Sequence, residues 1–364
     1  MAKRYITQDN LKKNTLADIF IFILNRKQTT RREIEFETGF SWGTVSANVS
    51  LLIEKGYVTE EKSDQCGVGR TTYLLKPTSQ GIVSIGIDIN RSGISCAVIA
   101  LDSQIVHLFD EKFSAKTQSE VIAQAEAACQ AARDWCAAQD LRVFSLGVAM
   151  QGTVNGRLGL SVHFPKMEDW QVMDIKSHFA QKYNLPVYLA HDPKCMLQGA
   201  MHNKKYEDCV LIRLDDGIGM AVSQDGRILD DTERLELGHT LAVLGGRACA
   251  CGKKGCLEAY ASLEAIALTQ NRSAEDVLRV PQEFAEALCQ AGELLSVALY
   301  NAYILFKPRR MILTGKATAL EGLMEQSLSL LREETVDVEI DPDISAAYGA
   351  AMEAVKSAVK SFAL

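Results

Sequence analysis

Near the start of the chain, apolar residues recur at helical spacing: Leu11, Leu16, Ile19, Phe20 and Ile23 share one face of a segment from Asn10 to Asn25. Thr30-Arg-Arg-Glu33 follows, a hydroxyl and a carboxylate three positions apart, which is the spacing of a capping box at a helix start. The short helix it opens turns Ile34 inward and ends at Thr38-Gly39-Phe40-Ser41, where Gly39 can take the left-handed conformation that closes a helix. Ser41 then caps a third helix whose apolar stripe is Val45, Val49, Leu52 and Ile53. Beyond Gly56-Tyr57-Val58 the period shortens to that of strands. Gln65-Cys-Gly-Val-Gly-Arg70 reads as a hairpin tip and Thr71 to Leu75 as the returning strand. Three helices and a two-stranded wing over residues 1–76 predict a winged helix-turn-helix domain.

From Ile82 the pattern is different. Ile82 to Asp88, Ile94 to Leu101 and Gln104 to Phe113 read as three successive strands, with turns at Asn90-Arg-Ser-Gly93 and Asp102-Ser103. The same arrangement returns at Cys209 to Leu214, Gly217 to Ser223 and Arg227 to Leu229. This internal repeat predicts two related lobes, each opening with an antiparallel meander. Helical patterns run over Ser119–Ala138 (burying Val121, Ala125, Ala128, Ala132 and Cys136), Ser262–Ala267, Pro281–Phe306, Leu320–Arg332 and Ser345–Phe362. Strands alternating with helices over residues 77–364 predict an α/β body with a cleft between its lobes.

Composition narrows the setting. A chain of 364 residues is long enough for two or three domains, and 47% hydrophobic with 23% charged residues is that of an ordinary soluble protein. No apolar run approaches the ~20 residues that span a bilayer, and the first residues lack a signal-peptide core, so a cytoplasmic protein without a membrane partner is expected. Its 10 cysteines are then mostly reduced thiols. Residues 1–76 hold 12 Lys/Arg against 9 Asp/Glu, whereas the rest holds 27 against 37. A basic head on an acidic body places nucleic-acid contact at the head. There Trp42, Thr44, Ser46 and Asn48 lie off the apolar stripe of the third helix, positioned to read a major groove. Arg31 and Arg32 begin the second helix, where they can meet phosphates, and Arg70 sits on the slim wing tip, suited to a minor groove.

One stretch carries metal chemistry. Glu236-Leu-Gly-His239 is followed by Cys249-Ala-Cys251-Gly-Lys-Lys-Gly-Cys256-Leu-Glu258. Three thiolates and a neutral imidazole complete a tetrahedral shell for Zn²⁺. With no open position such a site shapes a loop and activates no water, and Gly252 and Gly255 supply the backbone freedom that the tight Cys-x-Cys turn needs.

This block resembles the signature of the ROK family of repressors, open reading frames and kinases, and the resemblance extends over nearly the whole chain. Leu146-Gly-Val-Ala-Met-Gln-Gly152, Ala190-His-Asp192, Leu313-Thr-Gly315 and Tyr348-Gly-Ala-Ala351 stand where the family keeps its other blocks. The head resembles that of the repressor branch, with its helix-turn-helix and Gly-Arg wing. The resemblance implies a two-lobed actin/hexokinase-like (ribonuclease H-like) sugar kinase fold: a small lobe of about 80–192 plus 345–364, a large lobe of about 193–344, and sugar held between them. It also implies the sugar-binding residues Gly152, His191, Asp192, Glu236, His239 and Glu258, with His239, Cys249, Cys251 and Cys256 on a structural zinc. Asp192 matches the residue that in kinases takes the proton of the attacking hydroxyl; His191 replaces an Asn. His163 and Trp170 lie in a segment that often lines the sugar.

The phosphate side departs from the kinase pattern. The turn that should read Asp-x-Gly-Gly-Thr-Lys is Asp88-Ile-Asn90-Arg91-Ser92-Gly93, and the second phosphate loop is Asp215-Asp216-Gly217-Ile-Gly219. Two carboxylates would face the polyphosphate, each close pair costing on the order of 4 kcal/mol at ~4 Å and an effective dielectric of ~20. Asp192 is then a vestigial catalytic group. The expected function is a non-enzymatic, sugar-responsive DNA-binding transcriptional regulator, a repressor of carbohydrate-use genes. Its partners would be an operator, a small carbohydrate effector, and further copies of itself in a homodimer or dimer of dimers. The alternatives are an active ROK-type sugar kinase carrying a DNA-binding head, and a constitutive DNA-binding protein with a vestigial body.

Overall fold

The computed structural model describes residues 8–63, 72–112, 115–204, 206–229 and 235–361, with side chains from residue 14 onward. The head comprises α1 (Gln8–Arg26), α2 (Arg31–Thr38), α3 (Trp42–Glu54), β1 (Val58–Lys62) and β2 (Tyr73–Pro77), the two strands pairing antiparallel. Both arms of the capping box form. Thr30 Oγ1 accepts from Glu33 N at 3.2 Å, and Glu33 Oε2 accepts from Thr30 N at 2.8 Å. Gly39, at φ +72°, closes α2, and Ser41 Oγ accepts from Thr44 N at 3.3 Å to open α3. Leu16, Ile19, Phe20, Ile23, Ile34, Val45, Val49 and Leu52 form the buried centre, and Ile53 is half-buried at its edge. The wing tip with Arg70 lies outside the described residues. The head's core does not stop at its last strand. It continues into Ile82, Leu101, Val355 and Val359 of the body.

The body continues through β3 (Ile82–Asn90), β4 (Gly93–Ala100), β5 (Ile105–Glu111), α4 (Gln118–Ala138), β6 (Arg142–Met150), β7 (Thr153–Asn155), β8 (Leu160–His163), β9 (Met173–Asp174), α5 (Ile175–Tyr183), β10 (Val187–His191) and α6 (Asp192–Lys204). Then come β11 (Cys209–Leu214), β12 (Ile218–Gln224), β13 (Arg227–Ile228), α7 (Glu258–Ala261), α8 (Leu263–Leu268), α9 (Ala274–Arg279), α10 (Ala285–Phe306), β14 (Arg310–Thr314), α11 (Glu321–Ser327), β15 (Asp337–Ile340) and α12 (Ala346–Ser361). Two five-stranded sheets organise it, ordered β10-β6-β3-β4-β5 and β13-β12-β11-β14-β15. The repeat read in the sequence is a repeat of topology. In each sheet an antiparallel meander is extended by two parallel strands on the free edge of its first strand. β3 and β11 are buried at every position, as strands covered on both faces must be, which is why they are mainly apolar, broken only by Ser84, Asp88 and Asn90 in β3 and by Arg213 in β11.

Where the elements differ from the sequence reading, the cause is local. Pro281–Phe284 is a 3-10 turn and α10 begins only at Ala285; the pattern over 320–332 divides into α11 and a 3-10 turn at Ser329–Leu331. α6 escaped because its polar stripe, Lys194, Gln198 and His202, is narrow and most of the helix is buried. Pro193, Cys195, Met196, Leu197, Gly199 and Ala200 are all buried, and the helix packs against α12, β11 and β12. Short α5, α9 and the three-stranded sheet β7-β8-β9 carry too few residues for a visible period. α12 lies unusually close to its neighbours. A Cβ at Gly86 would fall 1.8 Å from Ala347 O, one at Gly147 2.1 Å from Ala350 O, and one at Gly349 1.8 Å from Cys195 O.

Candidate functional site

The strand ends of the two sheets converge on one cavity of about 390 Å³. β6 delivers Gln151 and Gly152 at its end, β10 delivers His191 and Asp192, β11 delivers Arg213 and Asp215, and the 3-10 turn Leu237–His239 brings Glu236 and His239. Gly152, His191, Asp192, Glu236, His239 and Glu258, far apart in sequence, all line this cavity. Gly152 sits at φ +93°, and a Cβ there would lie 2.3 Å from His163 O, so a side chain is excluded by both strain and space. His191 Nε2 is 3.2 Å from Asp192 Oδ1. Glu258 Oε2 accepts from Ile218 N at 2.9 Å, which fixes one carboxylate oxygen on the wall. His163 is at the rim, whereas Trp170 is a correction to the sequence reading: it does not line the cavity but stacks on Phe164 at 5.1 Å in the core of the first sheet.

The former phosphate loops are occupied by the chain itself. Asn90 Oδ1 accepts from Ser92 N at 2.9 Å and Gly93 N at 3.1 Å, so two backbone donors of that turn are consumed within it, and Arg91 N donates to Gln151 Oε1 at 2.9 Å. Ser92 Oγ donates to Asp216 Oδ2 at 3.1 Å, joining the two loops directly. Glu264 on α8 receives Arg91 at 3.2 Å and also pairs with Lys166. Of the two carboxylates of the second loop, Asp215 lines the cavity and Asp216 meets Ser92. Asp215 turns inward, 7% exposed, and accepts from Arg213 Nε at 2.9 Å and Lys316 N at 2.8 Å. Arg213 also pairs with Asp192. Sequence reasoning missed Arg213 because a lone Arg within an apolar strand carries no motif. Its one signal was a charge in the otherwise unbroken run Cys209 to Leu214. Burial pushes the neighbouring Asp88 carboxyl up to about 7, and the Asp192 and Asp215 charges add to this against the pull of Arg213.

Beside the cavity, the donor atoms of His239, Cys249, Cys251 and Cys256 all lie within 4.8 Å of one another. Cys249 Sγ is 3.6 Å from His239 Nδ1, and Cys251 Sγ is 3.6 Å from Cys256 Sγ. A tetrahedral shell with Zn–S near 2.3 Å and Zn–N near 2.05 Å needs separations of about 3.8 Å between sulfurs and about 3.6 Å between sulfur and nitrogen, so the set fits such an ion. Gly252 and Gly255 have φ of +83° and +82°, and a Cβ at Gly255 would lie 1.8 Å from Val243 O. His239 presents Nδ1 to the thiols while its ring also lines the cavity, so an ion held here would fix part of the cavity wall. All nine described cysteines have free thiols.

On the head, Arg31, Arg32, Trp42 and Ser46 border a second concavity, of about 660 Å³. Thr44 and Asn48 do not. Thr44 Oγ1 is 2.9 Å from Ser41 Oγ, and Asn48 Nδ2 donates to Thr44 O at 2.8 Å, so both polar groups serve the helix. Arg31 pairs with Glu60 on β1, which ties it to the wing stem.

The body, residues 84–353, matches the ROK family model. The chain belongs to the ROK family. The xylose repressor of Bacillus subtilis (strain 168) is 23% identical over 308 residues, covering 80% of this chain and 79% of that protein. A ROK family transcriptional regulator described as a homolog of the E. coli MLC protein superposes with a TM-score of 0.78 at 20% identity, covering 96% of this chain and 98% of that one. A ROK family glucokinase from Streptomyces griseus, in complex with glucose and AMPPNP, superposes with a TM-score of 0.64 at 19% identity, covering 75% of this chain and 99% of its own. The ROK body is thus the actin/hexokinase-like fold of the sugar kinases, preceded by helices consistent with a helix-turn-helix.

Proposed function

We propose that this ROK protein is a sugar-responsive, DNA-binding transcriptional regulator that represses carbohydrate-use genes and does not use ATP. The observation that carries this reading is the asymmetry of the cleft. The sugar-side residues surround open space, whereas in the first phosphate turn Ser92 N and Gly93 N are taken by Asn90 Oδ1 and Ser92 Oγ donates to Asp216. The repressor name of the first relative supports it. Asp192, Glu236 and Glu258 would accept hydrogen bonds from hydroxyls of the carbohydrate, with His191 and His239 as neighbouring ring contacts and Gly152 giving close approach. A structural Zn²⁺ on His239, Cys249, Cys251 and Cys256 would hold the wall.

In this reading residues 1–76 form the DNA-binding domain and 77–364 the sugar-binding domain, with a small lobe of about 80–192 plus 345–364 and a large lobe of about 193–344. Arg31, Arg32, Trp42, Thr44, Ser46, Asn48 and Arg70 would contact DNA. A homodimer or dimer of dimers would present two heads to paired half-sites. Among the described residues no helix is long and apolar enough to cross a membrane, and we place the protein in the cytoplasm. A sugar can shift the DNA-competent state only through a difference in its affinity for the two states. Calorimetry with ATP and with a panel of mono- and disaccharides tests the reading: one sugar should bind and weaken operator affinity, and ATP should give no heat. Sugar-dependent ATP turnover that vanishes in Asp192→Asn would replace it with an active kinase.

A further inference from the structure

The buried polar groups of the cleft meet at Arg213. This residue stands on β11 of the second sheet, is 7% exposed, and among the described residues is the one Lys or Arg lining the cavity. Its Nη1 donates to Asp192 Oδ2 at the end of β10 in the first sheet, and its Nε donates to Asp215 Oδ2 at 2.9 Å. Asp88, on β3 of the first sheet, is a third buried carboxylate, on which the Arg213 charge acts against the rise that burial imposes. Asp88 Oδ2 accepts from Asn90 Nδ2 at 2.8 Å, while Asp88 Oδ1 is buried without a partner on a residue only 5% exposed. Asp192 and Asp215 are 2% and 7% exposed.

Three inward-turned carboxylates, one with a buried orphan oxygen, form a donor set of the kind that hard divalent cations take. A guanidinium cannot shed its proton and presents its donors as a rigid fork, so it can neutralise two of them permanently. Asp88 is the surplus carboxylate, and burial above all makes it hold a proton more firmly than a free Asp. We propose that Arg213 is the resident cation of the cleft: it takes the place between Asp88, Asp192 and Asp215 that a divalent ion would otherwise hold. In doing so it bridges the two sheets and positions Asp192 on the cavity wall. Phosphoryl transfer relies on metal ions bridging phosphate oxygens, and a fixed guanidinium here already holds Asp192 and Asp215, two carboxylates such an ion would use. This goes beyond the regulatory reading and does not depend on which effector, if any, enters the cavity.

The test is Mn²⁺ binding to the intact, zinc-loaded chain, followed by the electron paramagnetic resonance signal of free Mn²⁺. Mn²⁺ prefers oxygen donors and leaves the thiol cluster to zinc. The native protein should show no saturable site, Arg213→Gln should gain affinity by about 100-fold or more, and Arg213→Lys, which keeps a cation, should gain none. Adding Asp192→Asn to Arg213→Gln should remove at least about 10-fold of that gain. A folded Arg213→Gln protein that gains no Mn²⁺ site overturns the proposal. So does a Mn²⁺ site in the native chain that Asp192→Asn abolishes. If Arg213→Gln does not fold, the triple change Arg213→Gln, Asp192→Asn, Asp215→Asn is followed by circular dichroism. Recovered folding supports charge neutralisation as the role of Arg213, and continued failure to fold overturns it.

Discussion

At Asp88 the cost of burying a charge is met by protonation, because Asp192 and Asp215 already claim the guanidinium of Arg213. The folded-state value of about 7 lies above the unfolded 3.8. Between these values the folded state binds the extra proton, so this residue's contribution to stability falls as pH climbs from about 4 to 7. Asp88→Asn should remove that slope: urea midpoints at pH 5 and pH 8 should differ less in the variant than in the native chain. The glycines of the thiol loop give a second contrast at this scale. Gly255→Ala adds a methyl group 1.8 Å from Val243 O at φ +82°, whereas at Gly252, φ +83°, there is open space. Gly252→Ala should cost about 1 kcal/mol, from backbone strain alone. Gly255→Ala should cost about 3 kcal/mol or more and lower the zinc content, read by denaturation and by metal analysis.

Helix α12 is the element on which the body is assembled. Ala347 and Ala350 press their carbonyls onto the glycines of β3 and β6, and Gly349 crosses α6 with its backbone against Cys195 O. Such approaches leave no room for a methyl group, and a close-packed interior cannot relax around one. Gly349→Ala should destabilise the protein by about 3 kcal/mol although alanine is the better helix former. A measured gain in urea midpoint would show that α6 and α12 are looser than their backbone distances indicate. The sequence pattern gave α12 to within a residue or two, but the alanine and glycine run of its first turns conveys nothing about which partner it meets.

Across the whole molecule, head and body share one core. Val355 and Val359 from the C-terminal half of α12, with Ile82 and Leu101, pack among Leu16, Ile19, Phe20 and Leu75 of the head. The first half of the same helix packs on α6, whose first residue is Asp192 on the cavity wall. A shift at the cavity therefore has a continuous packed route to the helices of the head. Val359→Ala, at a fully buried position, should cost about 2 kcal/mol and reduce the effect of sugar on operator affinity. Operator titrations with and without the activating sugar measure this. An unchanged sugar effect in a destabilised variant would assign the signal to another route.

The sequence by itself determined whatever depends on near neighbours. The capping box at Thr30 and Glu33, the left-handed Gly39 and the winged order of the head are fixed by residues a few positions apart. So are the repeated meanders and the grouping of His239 with three thiols, because backbone dihedrals and short loops act over that range. Only the tertiary structure decided what lies across the chain. It buried Arg213 against Asp192, tied Asp215 to the backbone of Lys316 and joined Ser92 to Asp216. It also fused the head to α12. The physical reason is common to all of these. A buried charge or a packed ring takes its meaning from partners tens to hundreds of positions away, and a linear pattern does not encode which of them will be there.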